Sequence, residues 1–373
     1  MTAKSKKLKQ ILEHELRKES EWYNLRPILG HFNWAMVACL LGGRETGKSY
    51  SVTNYFVDSF VNRGIPFTWL RLTDKQANKL LANNAEMLVD PDLRRKYNLN
   101  LKTKGNNVYS VTYETKVIRH KDGTEEEKQV EVSRTLMARV FALSNFYNQK
   151  GSGLFDKDFL KDLKMQYHIA LDEFEKEQNE KSQGDILYQF VNQMENLIRS
   201  TKERVKVFII GNMLDTCADI LAGLNYIPES FGIFKLKTKR TVIHYMEPTD
   251  AYKKRRAGSF ASLFLPNAST FTNRIDQDAT LLYKGRLISP KRIIKFTKDR
   301  NTWFTVWDQG CIAKYNGEKC NDVTAMRPYL DELFAPDIRD NVFRMFNGRM
   351  FVYHNLICFK EFEKQLALLK PNN

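Results

Sequence analysis

Eight consecutive residues, Gly42-Gly43-Arg44-Glu45-Thr46-Gly47-Lys48-Ser49, carry the spacing G-x-x-x-x-G-K-S of a phosphate-binding loop. Glycines let successive backbone N–H groups wrap an anion, and a helix opening at Lys48 adds its positive end. Lys48 then reaches the β and γ oxygens of a nucleotide, and Ser49 offers its hydroxyl to Mg²⁺. A second cluster closes an apolar run, Tyr167-His168-Ile169-Ala170-Leu171-Asp172-Glu173-Phe174, which matches the Walker B pattern. Side chains alternate along a strand, so the two carboxylates need not share one task. Asp172 suits the Mg²⁺ shell, and Glu173 suits polarising the water that attacks a γ-phosphate. A surface Asp-Glu pair at a strand end is the plainer alternative. The chain has no N-K-x-D segment for reading guanine, which weakens a GTPase reading.

Two further residues stand at ends of elements. Asn212 follows the apolar run Val205 to Ile210 and Gly211, where a polar group contacts both γ-phosphate and attacking water, or simply makes a turn. Arg199 closes a helical pattern, where a charge ordinarily complements the helix dipole; a trans-acting arginine finger is the sharper alternative.

These residues need a scaffold that brings strand ends together. Trp34 to Leu41 is a short apolar run bounded by Gly30 and Gly42 and reads as a buried strand. Lys48 to Arg63 places Val52, Tyr55, Phe56 and Phe60 on one helical face and stops at Gly64, a C-cap. Pro66 to Leu72 is the next strand, and Thr73 with Gln76 makes a capping box for a helix through Leu88. The alternation predicts an α/β fold with a mainly parallel sheet. Asn107 to Arg119 and Lys128 to Leu143 flank Asp122-Gly123 and predict a protruding hairpin. Strands follow at Tyr167 to Phe174 and Val205 to Gly211, with a helix at Asp185 to Ser200 between them. After about residue 245 the pattern becomes β-rich, ending in helix. The expected domains are a P-loop ATPase at 1–245, a basic linker at 246–275 and a smaller α/β domain at 276–373.

Composition narrows the partners. The 373 residues are 42% hydrophobic and 12% aromatic, enough to bury a core and unlike a disordered basic tail. The longest apolar runs fall short of a membrane span, and the N-terminus lacks the hydrophobic segment of a secretory signal. Five scattered cysteines, with no C-x-x-C pair, read as reduced thiols, in keeping with a chain made and used in a cytoplasm. The formal charge is +15, and Lys235 to Arg300 holds 16 Lys or Arg against 5 Asp or Glu, a net +11. Its densest point, Lys253-Lys254-Arg255-Arg256, suits a phosphate backbone. A solvated linker or a surface for acidic protein is the alternative.

At these residues the chain resembles the DNA-encapsidation ATPases of small, protein-primed tailed phages, a terminase-like branch of the additional-strand catalytic-glutamate P-loop proteins. The likeness lies in the phosphate loop with its internal Arg44, Phe67-Thr68-Trp69-Leu70-Arg71, Ile169 to Phe174, Glu203-Arg204-Val205, Ile210-Gly211-Asn212, Tyr252 to Arg256, and Phe346 to Phe351. It implies a homo-oligomeric ring, a pentamer, on the portal of an empty capsid, driving double-stranded DNA inward with ATP and Mg²⁺. It places such a ring in the host cytoplasm, transiently on the portal vertex and outside the mature virion, and admits a packaging RNA as a further partner.

Carried over by position, the resemblance implies Lys48 and Ser49 on nucleotide and metal, Asp172 on Mg²⁺ and Glu173 as catalytic carboxylate. It makes Asn212 a coupling residue and Arg199 a finger reaching the neighbouring subunit's nucleotide. The 107–143 hairpin looks like an insertion, and Arg71-Leu72 stands where a paired basic dipeptide is expected, leaving Lys75 as a weak substitute. The C-terminal domain resembles a degenerate nuclease of ribonuclease-H type: Asp308 lacks convincing acidic partners on later strands, so two-metal cutting is not expected. A DNA helicase or transposition-type ATPase, and a non-hydrolysing nucleic-acid scaffold, are the alternative classes.

Overall fold

Two strands set the centre of the protein, because every residue of Tyr167–Asp172 and of Val205–Gly211 is buried. Near-continuous burial is what a parallel strand covered on both faces requires. The computed structural model describes residues 22–119, 125–145, 166–175, 185–198, 205–212, 218–228, 230–264, 282–283, 290–295, 303–307, 311–314, 343–348 and 350–369.

In chain order the first part holds α1 (Arg26–His31), β1 (Val37–Leu41), α2 (Lys48–Arg63), β2 (Phe67–Arg71), α3 (Asp74–Ala85) and α4 (Pro91–Tyr97). It continues with β3 (Asn100–Lys104), β4 (Asn107–Arg119), β5 (Glu125–Ala142), β6 (Tyr167–Asp172), α5 (Ile186–Ile198), β7 (Val205–Gly211) and α6 (Asp219–Gly223). Then come β8 (Gly232–Leu236), β9 (Thr241–Tyr245), α7 (Asp250–Arg256), α8 (Phe260–Phe264), β10 (Pro290–Lys295), β11 (Trp303–Trp307), β12 (Cys311–Lys314), β13 (Val352–Tyr353) and α9 (Leu356–Leu369).

The chain divides into two compact units, one of Met1–Asp215 with Pro228–Ile275, the other of Thr216–Ile227 with Asp276–Asn373. The first carries a nine-stranded sheet in the order β3-β4-β5-β2-β6-β7-β1-β9-β8. From β5 to β9 every pairing is parallel, while β3, β4 and β8 join antiparallel at the edges. The helix expected from Lys48 to Arg63 has those bounds, and Gly64 caps it at φ 67°. Its Phe56 stacks on His168 at 5.0 Å and meets Phe67, Trp69 and Phe208, so the apolar stripe seen in sequence lies on the sheet. Burial holds His168 uncharged, with its pKa pushed down to about 3. The Thr73–Gln76 capping box is present at the start of α3.

β4 and β5 form the expected hairpin, and β5 pairs with β2 only from Ala138 to Ala142. Beyond β3 the pair continues as a two-stranded ribbon, Tyr113 opposite Glu131 through Arg119 opposite Glu125. Its turn, residues 120–124, lies outside the described residues, as do the N-terminal helical pattern at 1–21 and the glycine loop at 148–153.

The second unit has a four-stranded sheet, β10-β11-β12-β13, antiparallel except between β12 and β13. Ile312, Phe351, Tyr353, Cys358, Phe362 and Leu366 form its core. Asp308 is outside the described residues. Among the described residues no helix is long and apolar enough to cross a membrane, and no group of three or more His, Cys, Asp or Glu is arranged to hold a metal.

One expected boundary differs. Residues 246–275 fall within the first unit, and their basic core is helical. Thr249 supplies the reason, since its hydroxyl accepts the Tyr252 N–H at 3.1 Å and caps α7. A capped helix with a buried tyrosine is not a free linker.

Candidate nucleotide site

The sheet order brings the two sequence clusters to one edge. β7 lies between β1, which leads into Gly42–Ser49, and β6, which ends at Asp172. Ligands of parallel sheets collect at the carboxyl ends of such strands. The loop leaves β1 anchored to its neighbour, as the Gly42 N–H donates to Gly211 O at 3.2 Å. Gly211 is held to a residue without Cβ: a methyl there would lie 2.4 Å from the Phe174 ring.

Lys48 is buried beneath its own loop. Its ammonium donates to Gly42 O at 3.0 Å, Gly43 O at 2.6 Å and Thr46 Oγ1 at 3.1 Å, and reaches Asn212 Oδ1 at 3.3 Å. Burial lowers its pKa to about 8, against the opposing pull of Asp172, Glu175 and Glu173. Asn212 therefore contacts the lysine of the loop, which a turn residue alone would not require. Ser49 Oγ donates to Asp172 Oδ1 at 3.1 Å. Burial pushes the Asp172 carboxyl up, more than Arg71, Ser49 and Lys48 pull it down. A hydroxyl and a buried carboxylate side by side are hard oxygen donors, and they fit Mg²⁺.

Arg71 ends β2, beside β6, with Leu70 in register with Leu171. Its guanidinium spans both carboxylates, Nη2 at 3.2 Å from Asp172 Oδ2 and Nη1 at 2.5 Å from Glu173 Oε2. Glu173 itself has φ 55°, a left-handed conformation that costs a non-glycine residue of the order of 1–2 kcal/mol and marks sites held by their surroundings. Lys75 is exposed on the first turn of α3. Arg199 lies one residue beyond α5 and outside the described residues.

The other side of the loop meets residues far away in sequence. Tyr23 N–H donates to Thr46 O at 2.8 Å, and Ser51 Oγ donates to Tyr23 O. From α7, Tyr252 Oη donates to Arg44 O at 2.9 Å and Arg255 Nη2 to Glu45 O at 2.5 Å. Arg256 Nη1 lies 3.1 Å from Glu45 Oε2 and 3.4 Å from Arg44 O. Two of the four residues read in sequence as a nucleic-acid cluster thus turn onto the phosphate loop, while Lys253 and Lys254 are exposed. The reach of Arg71 across both carboxylates and the grip of α7 are not visible in the motifs; the spacing of Tyr252, Arg255 and Arg256 on one helical face is the signal that would have pointed inward.

This architecture recurs in solved structures. The chain is similar to the Phi-28 gp11 DNA packaging motor, with 17% identity, 95% of this chain and 99% of that chain covered, and a TM-score of 0.59. It is likewise similar to the bacteriophage Phi-29 viral genome packaging motor assembly, with 17% identity, 94% and 99% covered, and a TM-score of 0.58. The chain shares the fold of these packaging motors. Neither a protein-family model nor a curated protein sequence matches the chain. In this chain's own strand order β7 stands between β1 and β6.

Proposed function

We propose that this chain is an ATP-driven motor that moves double-stranded phage genome DNA into an empty capsid, as a homo-oligomeric ring, a pentamer, at the portal. The observation that carries the reading is the site's assembly: Lys48 on Asn212 and Ser49 on Asp172, at the ends of β1, β6 and β7. Its likeness to packaging motors over nearly the whole chain supports the genome as cargo.

Gly42 to Ser49 bind the phosphates, and Ser49 with Asp172 would hold Mg²⁺, which would supply charge neutralisation at the phosphates. Lys48 must leave the carbonyls of Gly42 and Gly43 to meet phosphate, and Asn212 moves with it. Glu173 takes a proton from the attacking water once its ion pair with Arg71 opens. Arg199 reaches the nucleotide of a neighbouring subunit. Lys253 and Lys254 hold DNA phosphates in a sequence-independent, salt-sensitive grip. The second unit serves as a degenerate nuclease-type domain that binds DNA or capsid.

Glu173→Gln is expected to bind ATP without turning it over, in DNA-stimulated assays with and without empty capsids; retained turnover removes Glu173 from its role. Activity without capsid dependence but with strand separation would instead mark a helicase.

A further inference from the structure

The four basic residues of α7 are not one patch. Tyr252, Arg255 and Arg256 stand at i, i+3 and i+4, which share one face of a helix, and Lys253 and Lys254 fall off it. The shared face meets the tip of the phosphate loop, with Tyr252 and Arg256 buried. Arg255 stands between Glu45 O and the Trp22 ring, its guanidinium 3.8 Å from the ring centroid.

The contacts fall on consecutive carbonyls. Arg44 O accepts from Tyr252 and Arg256, Glu45 O from Arg255, and Thr46 O from the Tyr23 N–H. In a trans peptide the C=O and the following N–H point in opposite directions. Holding these carbonyls outward therefore turns the N–H groups of Glu45, Thr46 and Gly47 inward, where a phosphate-binding loop needs its donors. Glu45 does this at φ 59°, a conformation that L side chains rarely adopt. Arg256 compensates by pairing with its carboxylate at 3.1 Å.

We propose that Tyr252, Arg255 and Arg256 are positioning residues for the nucleotide, aiming the backbone donors of the loop tip, and that only Lys253 and Lys254 of the tetrabasic run face a polyanion. The inference rests on ATP occupying this loop. It deepens that reading by assigning half of the apparent DNA cluster to the nucleotide.

The test uses the full chain and Mg-ATP. Arg255→Ala and Arg256→Ala are expected to raise KM for ATP and Kd for ADP about tenfold each, with kcat at saturating ATP within about twofold. A general loss of structure would lower kcat as well. Arg256→Lys, which keeps one donor, falls between the two. Adding Glu45→Gly to Arg256→Ala should recover at least half of the lost affinity, because glycine takes the positive φ without a side-chain penalty. Lys253→Ala with Lys254→Ala moves DNA retention instead, flattening its log–log salt slope by about 2. Arg255 is only half-buried, so its variant tests the idea even if Arg256→Ala fails to fold. Unchanged KM in Arg255→Ala and Arg256→Ala of an active enzyme, with DNA retention lost, overturns this inference alone. A wild-type chain that binds no ADP overturns the ATP reading and this one together.

Discussion

The two ends of the phosphate loop are held by different physics. At the end proposed for catalysis, Arg71 pairs with Asp172 and Glu173, Ser49 donates to Asp172, and Lys48 donates to Asn212 and to carbonyls of its own loop, contacts that a nucleotide and metal would replace. At the tip, Tyr23, Tyr252, Arg255 and Arg256 hold backbone carbonyls that no nucleotide needs. On the proposed function the first arrangement opens in each turnover, whereas the second can persist through it. Substitutions at the catalytic end should therefore appear in kcat, and those at the tip in KM.

The largest break is expected from Lys48→Ala, a loss of the order of 10³ in kcat/KM, comparable with removing a preorganised transition-state donor. Tyr252→Phe is its counterpart at the tip: one neutral hydrogen bond is worth about 1 kcal/mol, so steady-state kinetics should show KM up about fivefold and kcat kept. If Tyr252→Phe lowers kcat as much as it raises KM, the division between the ends fails.

Arg71→Ala sharpens the catalytic side. The Glu173 side chain is 50% exposed, so its pair with Arg71 counts for about 1 kcal/mol, and freeing Glu173 should raise DNA-independent ATPase about fivefold. A fall in basal turnover would make Arg71 a support for the site, not a restraint. Gly211→Ala tests the floor beneath both ends: the new methyl meets Phe174, and urea unfolding should show a loss of about 1–3 kcal/mol.

The smallest effect is a pH dependence. Lys48 titrates near 8 in the folded protein, below its ordinary 10.5. The unfolded chain thus holds more protons between about pH 8 and 10.5, and this group's contribution makes the nucleotide-free protein more stable as pH rises across that window. Phosphate binding favours the charged amine, so ATP should bind with proton uptake above pH 8 and weaken as pH rises. Calorimetry in buffers of different ionisation enthalpy measures the uptake, and Lys48→Ala should lack it.

Much of the fold is legible in the sequence. The apolar run into Gly42, the stripe of Val52, Phe56 and Phe60, the Gly64 stop and the Thr73–Gln76 cap all depend on local periodicity and turn chemistry; α2 has the bounds those rules gave, whereas α3 starts at its cap but leaves helical geometry at Ala82–Asn84 and ends at Ala85, short of the expected Leu88. The motif spacing also marked Lys48, Ser49 and Asp172 for one site, and the structure places Ser49 on Asp172 and Lys48 on Asn212. In the basic segment at 246–275 charge density says nothing about direction; α7 turns Arg255 and Arg256 onto a loop about 200 residues earlier in the chain.

The sequence by itself determined most of the elements and marked the residues proposed for the nucleotide end, since both follow from short-range pattern. Only the tertiary structure decided that β7 separates β1 from β6, that Arg71 faces Asp172 and Glu173, and that α7 turns the loop tip inward. Strand order and the aim of a guanidinium are set by what packs across the sheet, and no local rule encodes a neighbour that arrives from another part of the chain.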